Sequence, residues 1–144
     1  MHTPYQARLG RIPNFRVKYR FKSEVEGGRK SLPYQGIRCD FSYDEGNSLF
    51  MIWPEFEDEH RNIILNADIP VPSAGTALMW IMNPESIPFH QEKIQIGTTG
   101  FFREGANIIA ECEVMMFRLI NSSDKHSHHQ NCYTFTLPDK ATFE

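Results

Sequence analysis

Apolar and polar residues alternate through most of the chain with the period of a strand. From Phe15 to Val25, the apolar Phe15, Val17, Tyr19 and Phe21 take one side and Arg16, Lys18, Arg20 and Lys22 the other. This predicts a strand with one buried and one basic face. Glu26-Gly27-Gly28-Arg29 follows, where paired glycines admit positive φ and predict a tight turn. Ile37, Cys39, Phe41 and Tyr43 share one face of a second candidate strand, and Asp44 to Ser48 carries turn residues. A short apolar run covers Leu49 to Trp53, an acidic stretch from Glu55 to His60 predicts a loop, and residues 61–69 form a weaker strand candidate ended by Pro70 and Pro72. The continuous apolar run from Thr76 to Met82 has the pattern of a strand buried on both faces. Pro84 and Pro88 break the chain, residues 92–102 alternate through Ile94 and Ile96, and the longest candidate, 107–120, places Ile108, Ala110, Cys112, Val114 and Met116 on one face.

Helical periodicity is poor throughout. Six or seven short strands separated by Gly/Pro-rich turns predict an all-β domain, a closed barrel or a sandwich. The domain spans residues 15–120, after a flexible polar leader over 1–14. A C-terminal extension, 121–144, is read as an added edge strand through Tyr133, Phe135 and Leu137 or as a disordered appendage.

Composition narrows the function. At 144 residues the chain suits one domain with a real core, and a formal net charge of −3 means any nucleic-acid site must be a local basic patch. No stretch approaches the roughly 20 apolar residues of a membrane helix, and the first residues lack the apolar segment of a secretory signal. Cys39, Cys112 and Cys132 are scattered and odd in number, which points to reduced thiols in a cytoplasm, the first two buried in strands. His126, His128, His129 and Cys132 are metal-ligating types crowded into seven residues. Such crowding cannot easily surround one ion tetrahedrally, so a mobile polar tail is expected and no metal or other cofactor. Asp44, Glu45, Glu55, Glu57, Asp58 and Glu59 are read as solubilising loop acids. No set of residues supports catalysis. The stripe Arg16, Lys18, Arg20, Lys22, about 20 Å long at the rise of a strand, suits RNA or an acidic protein, or a solvated face balanced by carboxylates.

Phe21-Lys22-Ser23-Glu24-Val25, Glu26-Gly27-Gly28-Arg29, Pro33-Tyr34 and Gly36-Ile37-Arg38 occur in the order of the opening of the third, C-terminal domain of elongation factor Tu. Val71 to Gly75, Ile81-Met82-Asn83-Pro84 and Arg103-Glu104-Gly105 match later turns and strand ends in the same order, so the chain resembles that domain over roughly Arg16 to Arg118. The resemblance implies a closed six-stranded Greek-key barrel standing alone. The family's phosphate-loop and base-recognition motifs are absent, so no nucleotide partner is expected.

It also implies a translation-factor-like binding module that touches a protein or an RNA, in the family the T-stem of aminoacyl-tRNA. The residues carried over are Arg29, Arg103, Glu104 and Gly105, with Gly27 and Gly28 as turn formers. Asn83, Ala106 and Asn107 stand where the family has a lysine, a glycine and a second arginine, which removes two phosphate contacts and favours a protein partner over tRNA. The alternative is a self-associating structural domain, a homodimer with no role in translation, burying Met51-Ile52-Trp53 and Ala77-Leu78-Met79-Trp80 against a second copy. A metal-dependent enzyme using the tail histidines is the third, weaker option.

Overall fold

A computed structural model describes residues 1–117. Six strands, β1 (Phe15–Phe21), β2 (Asp40–Ser42), β3 (Ile52–Phe56), β4 (Ala74–Ile81), β5 (Thr99–Glu104) and β6 (Asn107–Phe117), form one sheet in the order β2-β5-β6-β1-β4-β3. Every pairing is antiparallel. The sheet curls into a half-barrel. The chain just before β3 meets the other edge strand, β2, at one isolated bridge, in which Phe41 and Phe50 exchange backbone hydrogen bonds of 2.9 and 2.8 Å. Curling sends the side chains of one face into a common core.

That core is aromatic. Tyr19 and Phe21 of β1, Phe56 of β3 and Phe102 of β5 lie 5.2–6.3 Å apart, several edge to face, and Phe15 meets Phe41 at 5.9 Å. Ala77, Met79 and Ile81 of β4 and Ala110, Cys112 and Val114 of β6 are among the residues that join it. The alternation in β1 thus places Phe15, Val17, Tyr19 and Phe21 inside, as expected. Gly100 sits against the Phe41 ring, and a Cβ there would lie 2.4 Å from Cζ. A register shift opposite Phe102/Arg103 inserts an extra residue into β6 and turns Ile109 into the core, leaving Ile108 partly exposed. Such a bulge re-aims side chains in a way that strict alternation does not anticipate.

Three predicted strands are altered. Only Asp40–Ser42 of the 34–43 candidate pairs as a strand, residues 61–69 contribute one bridge at Ile63, and the 92–102 candidate divides. Its start belongs to a helix, α2 (Ile87–Lys93), entered through a 3-10 turn at Pro84–Ser86, with the Asn83 side chain accepting from Glu85 N. Pro84 and Pro88 are helix-start residues here rather than strand breakers. Helix α2 seats His90 among Tyr43, Phe50 and Phe89. His90 Nδ1 lies 2.6 Å from the Tyr43 hydroxyl, and burial, with Lys93 nearby, pushes its pKa down to about 4.

The N-terminal residues are not a loose leader. They form a strap containing a short helix, α1 (Tyr5–Leu9), that buries His2 and Tyr5 on the outer side of β3 and β4. The reason is Glu55. Expected in a solvated loop, it lies in β3 with no exposed surface and holds the strap by hydrogen bonds. The free edge of β3 is occupied as well. The Gln35 carboxamide accepts from Phe56 N at 2.8 Å and donates to Phe56 O at 2.9 Å, as a neighbouring strand would. No helix of the described residues is long and apolar enough to cross a membrane. The expected extension over 121–144, its histidines and Cys132 lie outside the described residues.

Candidate binding surface

Strand β1 ends where the chain folds back on itself, and this return builds the surface. Ser23 and Glu26 cap each other: Ser23 N donates to Glu26 Oε1 at 2.7 Å, and Glu26 N donates to Ser23 Oγ at 3.3 Å. This is the reciprocal logic of a helix capping box, here closing a turn. Gly28 then returns to the strand so closely that a Cβ would lie 2.2 Å from the Lys22 carbonyl oxygen. Gly27 at φ 97 makes the reversal. Both glycines are therefore required by geometry.

Around the return, Arg20, Lys22, Arg29 and Lys30 line a cleft of about 520 Å³, with Ser23, Ser31 and Ser73 supplying hydroxyls. A groove of about 790 Å³ adjoins it along the outer side of β1, bounded by Lys18, Thr99, Phe101, Glu45, Glu111 and Glu113. Arg20, Lys22 and Ala74 line both, so the two are adjacent. Gly75 and Gly100 also line the groove.

Most cations here are partly neutralised. Lys18 lies 3.6 Å from Glu113, and Arg20 bridges Glu26 at 3.1 Å and Glu111 at 3.3 Å. The Arg20 hydrogen bond, helped by Ser23 N, brings the Glu26 carboxyl down to about 2. Lys22 and Lys30 have no ion pair among the described residues. They are the charges in the cleft most available to a partner.

Two residues expected at a binding surface are elsewhere. Arg16 does not join the exposed stripe: it is buried, and its Nε and Nη2 donate to the two oxygens of Glu57 at 3.0 and 2.7 Å. Glu57, expected in a solvated loop, is buried with it and also accepts from Thr76 Oγ1 at 2.7 Å. Arg103 is buried too, and donates to Ser42 Oγ and the carbonyls of Asp44, Gly46 and Ala106. It clamps the turn after β2 and presents no guanidinium to a phosphate. Glu104 is half-exposed and pairs with Arg29, while Gly105 at φ 61 turns the β5–β6 hairpin. The Glu26–Arg29 turn and the Arg103–Gly105 turn are thereby joined across 75 residues of sequence.

Of the apolar groups expected to pair with a second copy, Ile52, Ala77, Leu78, Met79 and Trp80 are buried and Met51 is exposed. Cys39 and Cys112 are buried, which pushes both thiols up, Cys39 to about 12. No cluster of metal-ligating side chains occurs among the described residues. Nothing in the sequence pattern marks Lys30, Ser31 or Ser73 as cleft residues. The first two directly follow the Arg29 turn, whereas Ser73 is brought to it by the Phe21 N to Ser73 O hydrogen bond of 2.8 Å. No family model and no curated protein matches the chain.

Proposed function

We propose that the chain is a non-catalytic binding module of the cytoplasm that grips an extended polypeptide along the outer side of β1. The observation that carries this reading is the adjoining cleft and groove, with Lys22 and Lys30 in the cleft, and Glu45 beside the Lys18–Glu113 and Arg20–Glu111 pairs along the groove. A segment with an acidic group at one end and basic groups beyond it complements that order of charges. The cleft alone would suit a phosphate. A nucleic-acid strand continuing along β1, however, would meet Glu45 and cations already paired with Glu111 and Glu113, which favours protein over tRNA. We read the fold as the closed Greek-key barrel of the third domain of elongation factor Tu, without its GTPase. The Arg29–Glu104 link between the two motif turns and the Phe41–Phe50 bridge between β2 and the chain entering β3 support that reading.

Affinity capture from the native cell with the full chain and with Lys22→Glu/Lys30→Glu tests the function, alongside a tRNA mobility shift across salt. A protein retained by the native chain, lost with the variant and cross-linked to residues of the groove is the expected result. A tRNA shift at low salt that the variant abolishes would replace the polypeptide with RNA.

A further inference from the structure

On the outer side of β3 and β4, residues 2–9 of the chain sit against a site built around Glu55. Three donors converge on the buried Glu55 carboxylate. His2 Nε2 and Tyr5 N donate to Oε2 at 2.6 and 2.9 Å, and Trp80 Nε1 donates to Oε1 at 3.0 Å. The Tyr5 ring meets both His2 and Trp80 edge to face, at 5.3 and 5.9 Å, and His2 N donates to Leu65 O at 2.9 Å. A carboxylate, a backbone acceptor and an aromatic wall held by the sheet are the components of a peptide-binding site. A histidine followed three residues later by an aromatic at a helix start is the segment that fills it.

We propose that this site also takes the strap of a second copy, so that two copies exchange residues 2–9 and pair. Exchange preserves every contact just named and alters only the connection to β1, which is why swapping identical elements is a low-cost route to a dimer. That connection runs over residues 10–13, since Asn14 is fixed to β4 by the Asn14 N to Met79 O and Ile81 N to Asn14 Oδ1 hydrogen bonds. It carries Arg11, which donates to Ile81 O, and turns at Gly10, which has φ 71 and donates its N–H to Gln6 O. A Cβ at Gly10 would meet nothing within 4 Å, so a side chain there strains the backbone of the closed connection without touching a neighbour. The short tether presents the strap to its own site at a high effective concentration. The single copy therefore keeps its strap until the protein is concentrated or the hinge is strained.

Two complementary variants of the full chain test the exchange. His2→Ala/Tyr5→Ala spoils the strap and leaves the site, whereas Glu55→Gln keeps the strap and weakens the site without changing its shape. Light scattering is expected to give monomers for each alone and a dimer for the mixture. Gly10→Val is expected to raise the dimer fraction of the otherwise native chain several-fold at equal concentration. A synthetic peptide of residues 1–10 should dissociate the mixed dimer, and should raise the Tm and shift the tryptophan emission of the strap variant to the blue. A mixture that stays monomeric with no response to peptide overturns the proposal, as does a mixed dimer that the peptide leaves intact. If the strap variant does not fold alone, refolding on addition of the peptide supports the site and failure to refold counts against it.

Discussion

Replacing Arg16 with methionine distinguishes an exposed basic stripe from a buried ion pair. On an exposed face the change would move stability by no more than about 0.5 kcal/mol. Arg16 is instead almost fully buried and holds both oxygens of an equally buried Glu57. Methionine fills much of the volume but leaves a carboxylate with the Thr76 hydroxyl as its remaining donor among the side-chain bonds described. Breaking a buried pair from one side costs about 3–5 kcal/mol, a large share of the roughly 5–15 kcal/mol of a typical domain. With a urea slope of about 1.5 kcal/mol/M, the midpoint should fall by about 2–3 M. Equilibrium urea unfolding followed by tryptophan fluorescence measures it. Arg16→Met/Glu57→Leu should regain most of the loss, because a well-packed apolar pair removes the stranded charge. A single variant that unfolds within about 0.3 M of the native midpoint, or a double variant no better than the single, would refute the reasoning.

Three further outcomes are expected. Gly28→Ala forces a methyl to within 2.2 Å of the Lys22 carbonyl oxygen and should lower stability by about 1–3 kcal/mol, read as a drop in Tm. Arg103→Ala should cost about 2–3 kcal/mol by releasing the acceptors that it clamps, whereas Arg29→Ala, at a half-exposed pair, should stay within about 1 kcal/mol; thermal unfolding of the two side by side checks this. His90, held down near pKa 4 chiefly by burial, is neutral in the fold, so the unfolded chain takes up its proton first. Stability from this residue is complete above its ordinary value of about 6.5 and falls as pH drops toward about 4, at up to about 1.4 kcal/mol per unit. Urea midpoints between pH 7.5 and 5 should fall for the native chain and less steeply for His90→Leu; parallel slopes would contradict the assignment.

Much of the sheet is determined by local sequence. Alternation from Phe15 to Phe21, the apolar run before Met82 and the length of the last strand depend on which residues fit a pleated, half-buried surface. Those strands follow without knowledge of neighbours, and so does the inward face of β1, whereas the bulge that turns Ile109 inward in β6 does not. The Gly27–Gly28 turn is equally local, since its reversal needs residues without side chains. Helix α2 was legible in principle: Asn83-Pro84 and Ser86-Ile87-Pro88 are start signals, outweighed by reading proline as a breaker.

What tertiary structure alone decided is the outer face. Alternation says which side a residue takes, but not whether anything covers that side. Arg16, Lys18, Arg20 and Lys22 share a face by pattern, yet Glu57 accepts one end of the stripe and buries it, while the other end stays open at a cleft closed by Arg29 and Lys30. Glu55 looks like its acidic neighbours in sequence, and becomes a buried anchor because a strap 50 residues earlier donates to it. The free energy of a charge depends on the donors and the dielectric around it, and those are assembled from segments far apart in the chain.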